Sequence, residues 1–209
     1  MPKGRSIACL SAFFAQNSWV NCKIVVKWQR YNDISICVCG KKAMALVEQV
    51  KDVPAYIRKM YGFNSFMNTF GVHIDEITCG GAVVSINIDP QKHFNHRGIC
   101  HGGVFTALAD SVLGVTGASV GAAVATLNFS MNFIRNVHSA GRVYVRSRVR
   151  HHGHTTMVIE AEMYDEEDRL MATILTTMFI VGRFEEIPAK WWLTGWIGKG
   201  EDCGRPQGV

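Results

Sequence analysis

The sequence predicts an α+β domain in which one long helix lies against a single face of a largely antiparallel sheet. Three observations carry this reading. The elements run as helices, two strands, one long helix, then four strands. Three of the last four strands alternate apolar and polar residues with period two. The long helical stretch has an apolar seam, Val104, Leu108, Val112 and Val115, with Ser119 next on it as the seam runs out.

Each element has a local cause. From Ala45 to Phe70 the pattern is helical but interrupted: Leu46, Val47 and Val50 form a face, Pro54 restarts the chain, and Ile57, Met60, Tyr61 and Phe66 continue it, so two short helices are expected. Gly71 to Cys79 and Ala82 to Asp89 read as a hairpin around a Gly80-Gly81 turn, with Ala82, Val84, Ile86 and Ile88 on one face. Pro90 ends that strand, and a polar loop from Gln91 to Gly98 leads to a helix starting near His101 and ending near Gly117 and Gly121. In the next strand Ala123, Ala125, Leu127, Phe129, Met131 and Phe133 alternate with Thr126, Asn128, Ser130 and Asn132. Val143 to Arg150 and Thr156 to Tyr164 form a hairpin through His152-Gly153, which sets Arg146 and Arg148 on one face with Glu160 and Glu162 as cross-strand ion pairs. Leu170 to Val181 is apolar on both faces, as in a buried strand.

Of 209 residues, 48% are hydrophobic and 19% charged, which excludes disordered, collagenous and coiled-coil proteins. The net charge of +5 is uneven: residues 1–43 carry seven Lys/Arg against the single Asp33, so the remainder is close to neutral. The basicity belongs to the first fifth of the chain and is no nucleic-acid footprint of the whole. Residues 1–43 have no sustained period and are expected to be an extension, or sequence upstream of a start at Met44; the domain spans 44–188 and a Trp-rich tail spans 189–209. Seven scattered cysteines suggest reduced thiols and a cytoplasmic protein. The apolar run Val104 to Leu127 is long enough for a membrane span, but Asp110 and the glycines 114, 117 and 121 argue against one. Cys37 and Cys39 lack a second ligand pair, and His151, His152 and His154 sit at a predicted turn without an acidic or Cys partner, so no metal and no cofactor are expected.

The chemistry concentrates between His93 and Asp110. Opposite the seam, Gly103, Thr106, Asp110, Gly114 and Gly117 share a helix face, where a solvated helix would carry Lys and Glu. Such a face suits close approach of a ligand or another subunit. Asp110 has no Lys or Arg three or four residues away, so no intrahelical ion pair explains it. If its surroundings are apolar its pKa should be raised, as for a carboxylate kept for chemistry. The amides of Gly102 and Gly103 open the helix without intrahelical partners, a ready oxyanion hole. Asn95, on the preceding loop, can orient a water or a carbonyl.

The spacing His93-x-Asn95-x-x-Gly98-x-x-His101-Gly102-Gly103, with Leu108-Ala109-Asp110 following, resembles the signature of the PaaI-like hotdog-fold acyl-CoA thioesterases. The resemblance covers about residues 45–187. It implies a curved sheet wrapped around a central helix, paired into dimers, with sites at the subunit interface, often in tetramers. It also implies Asp110 as general base or nucleophile, Gly102 as oxyanion donor, Asn95 as positioner of the attacking water, His101 as partner of the thioester region, and Thr126 as a residue that helps hold the water. Gly103 and Thr106 would then meet substrate. Arg97, Arg135, Arg146 and Arg148 are candidates for the CoA phosphates, the last two against the ion-pair reading above. The implied reaction is hydrolysis of an aryl- or medium-chain acyl-CoA. Phe66, Phe70, Phe105 and Met131 would suit either acyl group. Two alternatives stay open: an acyl-CoA-binding regulator without catalysis, and a dehydratase acting on 3-hydroxyacyl thioesters.

Overall fold

The computed structural model describes residues 48–188 and Trp191. The basic segment 1–43, the Cys37 and Cys39 pair and the face made with Leu46 and Val47 lie outside these residues. Helix α1 (Val53–Tyr61) begins where the Asp52 carboxylate accepts the Ala55 N–H at 2.9 Å. Pro54 stands in its first turn, where a missing N–H is harmless. Proline therefore opens α1 instead of dividing two helices. The division falls at Gly62 to Asn64, and Asn64 Oδ1 caps α2 (Ser65–Phe70) by accepting from the Met67 N–H at 3.1 Å.

Strands β1 (His73–Thr78) and β2 (Gly81–Ile88) form the expected hairpin, but its turn is Cys79-Gly80; Gly81 already pairs with Thr78. Gly80 takes φ +83°, and a Cβ on Gly81 would come within 3.0 Å of the Ser147 carbonyl oxygen, so each glycine has its own reason. A four-residue helix, α3 (Pro90–His93), occupies the start of the predicted polar loop. Helix α4 runs from Gly102 to Ser119, followed by β3 (Ala122–Phe133), β4 (Gly141–His152), β5 (Thr156–Asp165) and β6 (Leu170–Arg183). The long apolar run is thus a helix and then a strand.

The six strands order as β1-β2-β4-β5-β6-β3, every pair antiparallel. Helix α4 packs on the inner face of β2, β3 and β4. Val104, Leu108, Val112, Val115 and Ser119 are all buried, as the seam requires, against Val84, Ile86, Val143 and Val145. Each large aliphatic side chain so buried contributes about 1.5–3 kcal/mol. At the far end of α4 the hydroxyls are used internally: Thr116 Oγ1 and Ser147 Oγ lie 2.5 Å apart, and Ser119 Oγ accepts the Gly80 N–H at 3.0 Å. Trp191, assigned by sequence to a separate tail, is buried and donates its indole N–H to the Ser119 carbonyl at 2.8 Å.

Two strands depart from expectation. β6 buries Ile174, Thr176 and Met178 but leaves Leu175, Phe179 and Val181 exposed on the outer face. β3 is an edge strand whose pairing with β6 slips between Thr126 and Asn128, leaving Leu127 as an extra bulged residue. A bulge reverses the parity of a strand. Before it, Val124 and Thr126 face α4; after it, Met131 and Phe133 do. Simple alternation puts Thr126 and Phe133 on opposite faces, and the bulge brings them to the same one.

Candidate active site

The loop before α4 is built to present a helix start. The His93 carbonyl accepts the His101 N–H at 2.8 Å, Cys100 N–H reaches the Val137 carbonyl at 2.9 Å, and Phe94 bridges Cys100. His93 Nδ1 accepts the Asp89 N–H at 2.9 Å, and partial burial, opposed by nearby Asp89, holds its pKa below the usual histidine range. Asn95 Oδ1 accepts the Arg97 N–H at 2.8 Å. Its acceptor is therefore engaged in the loop, and its amide nitrogen is the group left to address a water or carbonyl. The Cys100 thiol is buried, which pushes its pKa up to about 11 and keeps it protonated.

His101 is the N-cap of α4, and its Nδ1 accepts the Gly103 N–H at 2.9 Å. The Gly103 amide is thereby already used, and His101 turns its Nδ1 to the helix backbone. A neutral His101 then carries its proton on Nε2. The Gly102 N–H finds no acceptor among the described residues. It is left pointing out of the positive end of an 18-residue helix. Beside it is an open hollow of ≈ 330 Å³ lined by Gly102, Phe133, Ile134, Arg135 and Asn136.

Asp110 stands two turns further along α4, exposed, and its Oδ1 accepts the Thr126 hydroxyl at 3.0 Å. The apolar surroundings expected of Asp110 are therefore not supplied within one chain. Thr106 lies between the two, donating its hydroxyl to the Gly102 carbonyl at 3.1 Å. Gly114 and Gly117, expected to admit a ligand or subunit, admit this chain's own side chains. A Cβ on Gly114 would be 2.7 Å from the Tyr61 hydroxyl, and one on Gly117 would be 2.6 Å from a Val124 methyl. Tyr61 is partly buried there, and desolvation pushes its pKa up to about 12.

Of the candidate arginines, Arg135 lines the hollow, its guanidinium donating to the Leu170 carbonyl at 2.6 Å. Arg97 is exposed on the loop of Asn95. Arg146 and Arg148 are not brought to this site: they occupy the outer face of β4, opposite Val145 and Ser147, which face α4. Arg148 pairs with Glu160 at 3.4 Å, and Arg146 lies over the rings of Tyr144 and Tyr164. The ion-pair reading holds for Arg148, and stacking explains Arg146. Phe66 and Phe70 stack on each other in α2, with Phe66 half exposed. Phe133, notable in the sequence only for its place in an alternation, lies beside Gly102. Among the described residues no three His, Cys, Asp or Glu side chains gather as metal ligands, and no helix is long and apolar enough to cross a membrane.

Residues 97–172 match the model of the thioesterase superfamily. Over these residues the chain is similar to that superfamily, and its long helix against an antiparallel sheet is the hotdog fold. Acyl-coenzyme A thioesterase PaaI of Escherichia coli is 26% identical over 113 residues, 54% of this chain and 80% of that one. A putative esterase of Archaeoglobus fulgidus is 24% identical over 73% of this chain and 92% of its own length. Among solved structures, E. coli PaaI superposes with a TM-score of 0.60 at 24% identity, covering 65% of this chain and 96% of that one. A hypothetical thioesterase of Streptococcus pneumoniae, solved with coenzyme A, gives 0.56 at 25% identity, covering 60% and 98%. That protein has also been solved with an Asp and a Thr each replaced by Ala, and the two positions are 16 apart, the separation of Asp110 and Thr126. These likenesses class the chain with the thioester hydrolases.

Proposed function

We propose that this protein hydrolyses acyl-CoA thioesters at a site shared between two copies of the chain. The observation that carries the reading is the separation of its two halves. Gly102 and Asp110 lie on one helix, and at 1.5 Å per residue their positions are roughly 12 Å apart along its axis. Oxyanion and attacking oxygen on one tetrahedral carbon lie about 2.3 Å apart, and a hydrogen bond at either end extends the span to roughly 8 Å, so one chain does not bring both groups to one carbonyl. The α4 stripe that carries Gly103, Thr106 and Asp110 is exposed, and so is much of edge strand β3 beside it. A second copy laid across this surface in the opposite sense would set its Asp110 beside the first copy's Gly102.

In this arrangement the Gly102 N–H polarises the thioester carbonyl. The Asn95 amide nitrogen adds a second donor. Asp110 of the second copy, oriented by its own Thr126, deprotonates a water or attacks to give a mixed anhydride that water then opens. The CoA thiolate is a good leaving group, and Arg97 and Arg135 are placed for its phosphates. Packing of the second copy supplies the enclosure that Asp110 lacks in the single chain. The acyl group is of the aryl or medium-chain class.

Release of free thiol from aryl-, short-, medium- and long-chain acyl-CoAs tests the reading, with Asp110→Asn as control. Turnover that falls by about three orders of magnitude in D110N supports it. Binding of acyl-CoA without thiol release in the wild type overturns it in favour of a ligand-sensing domain.

A further inference from the structure

We propose that Phe133 selects the acyl group, favouring substrates whose first atoms beyond the thioester carbonyl are planar: an aromatic ring, or a double bond conjugated to the carbonyl. The inference rests on the thioesterase reading and deepens it. The tip of the Phe133 ring sits 3.5 and 3.6 Å from where a Cβ on Gly102 would be. Among the described residues no other side chain comes as close to that glycine's open side. A carbonyl oxygen accepting the Gly102 N–H therefore sets its carbon, and the one or two atoms attached to it, against this ring. One side of the ring is backed by Phe105, which is fully buried, with centroids 6.4 Å apart and planes inclined by 25°. Within the single chain the rest of the ring is uncovered, for Phe133 is 55% exposed.

The ring is held as well as placed. Its strand ends immediately afterwards, where Ile134 and Arg135 both give their N–H groups to the Met171 carbonyl, at 2.8 and 3.1 Å. Arg135 is tied again through its side chain to Leu170. A fixed aromatic face with an apolar backing rewards a flat, polarisable partner over a puckered one of equal size. A saturated ring or chain in the same place gains the burial but not the stacking.

The test compares benzoyl-CoA with cyclohexanecarbonyl-CoA, which match in carbon count and differ in planarity. Each has its own intrinsic reactivity, so the quantity read is the change in the kcat/KM ratio between wild type and variant, in which intrinsic reactivity cancels. Phe133→Leu keeps an apolar side chain and removes the ring; the benzoyl preference is expected to fall about 5- to 10-fold. Phe133→Tyr keeps the face and should keep the ratio. A purely structural role would lower both substrates together and leave the ratio unmoved, which would overturn the inference. If the wild type releases CoA from neither compound nor from any other acyl-CoA, the thioesterase reading itself fails. Turnover with an unchanged ratio in F133L sinks only the assignment to Phe133.

Discussion

The two ends of the exposed stripe on α4 are built differently. At the first turn the donor is backbone: Gly102 offers an N–H, Gly103's is already taken by His101, and the loop behind is tied by a chain of main-chain bonds through His93, Asn95 and Cys100. Two turns on, the acceptor is side chain: Asp110 stands exposed, with Thr126 as its hydrogen-bonded neighbour. In the proposed reaction the first end would stabilise developing negative charge with fixed dipoles and need no titratable group. The second carries the charge and depends on its surroundings to become reactive. On the proposed reading, one helix would supply half of each of two sites.

The comparison can be broken most severely at the donor end. Gly102→Pro removes the N–H and keeps the helix start, since proline is accepted at the first position of a helix, while its ring adds carbons in van der Waals contact with Phe133. His101, at φ −68° and ψ 132°, already has the backbone that a following proline demands. Steady-state kinetics should show kcat lower by about two to three orders of magnitude with the fold intact by circular dichroism. At the carboxylate end, Thr126→Val keeps a β-branched strand residue and removes the hydroxyl held to Asp110. Its loss should lower kcat about tenfold and leave KM nearly unchanged.

The smallest effect concerns the loop. His93 is held neutral by burial and uses Nδ1 as an acceptor, so its folded pKa lies below its unfolded one. The unfolded chain then binds more protons at this residue as pH falls through the region near and below 6.5, and the stability its neutral form contributes is lost there. Thermal unfolding of the wild type should therefore decline more steeply on acidification than that of His93→Asn, which retains an acceptor and does not titrate. Parallel pH profiles would show that His93 plays no part in this stability.

Much of this division is legible in the sequence. The seam through Val104, Leu108, Val112 and Val115 fixes how α4 lies, and that leaves Thr106 and Asp110 outward. The alternation of Ala82, Val84, Ile86 and Ile88 likewise gives β2 its buried face. What escaped depends on long-range geometry. The bulge at Leu127 is invisible to a period-two reading, yet it decides that Thr126 and Phe133 both face the helix. The outer position of Arg146 and Arg148 follows from which face α4 covers, which their alternation alone does not state. The filling of Gly114 by Tyr61 needs the packing of α1, 53 residues away. Pro54 misleads because the same residue that breaks a helix interior suits its first turn.

The most direct test of the shared site is hybrid complementation. G102P and D110N, each inactive alone, are mixed and allowed to exchange subunits, and thiol release is followed with time. If each site draws Gly102 from one copy and Asp110 from the other, one of the two sites in every mixed dimer is intact, and activity should climb to roughly a quarter of the wild-type value. If Gly102 and Asp110 of the same chain serve one site, every site in the mixture carries a defect and activity stays at the level of the parents; that result, with subunit exchange verified by mass, would contradict the account.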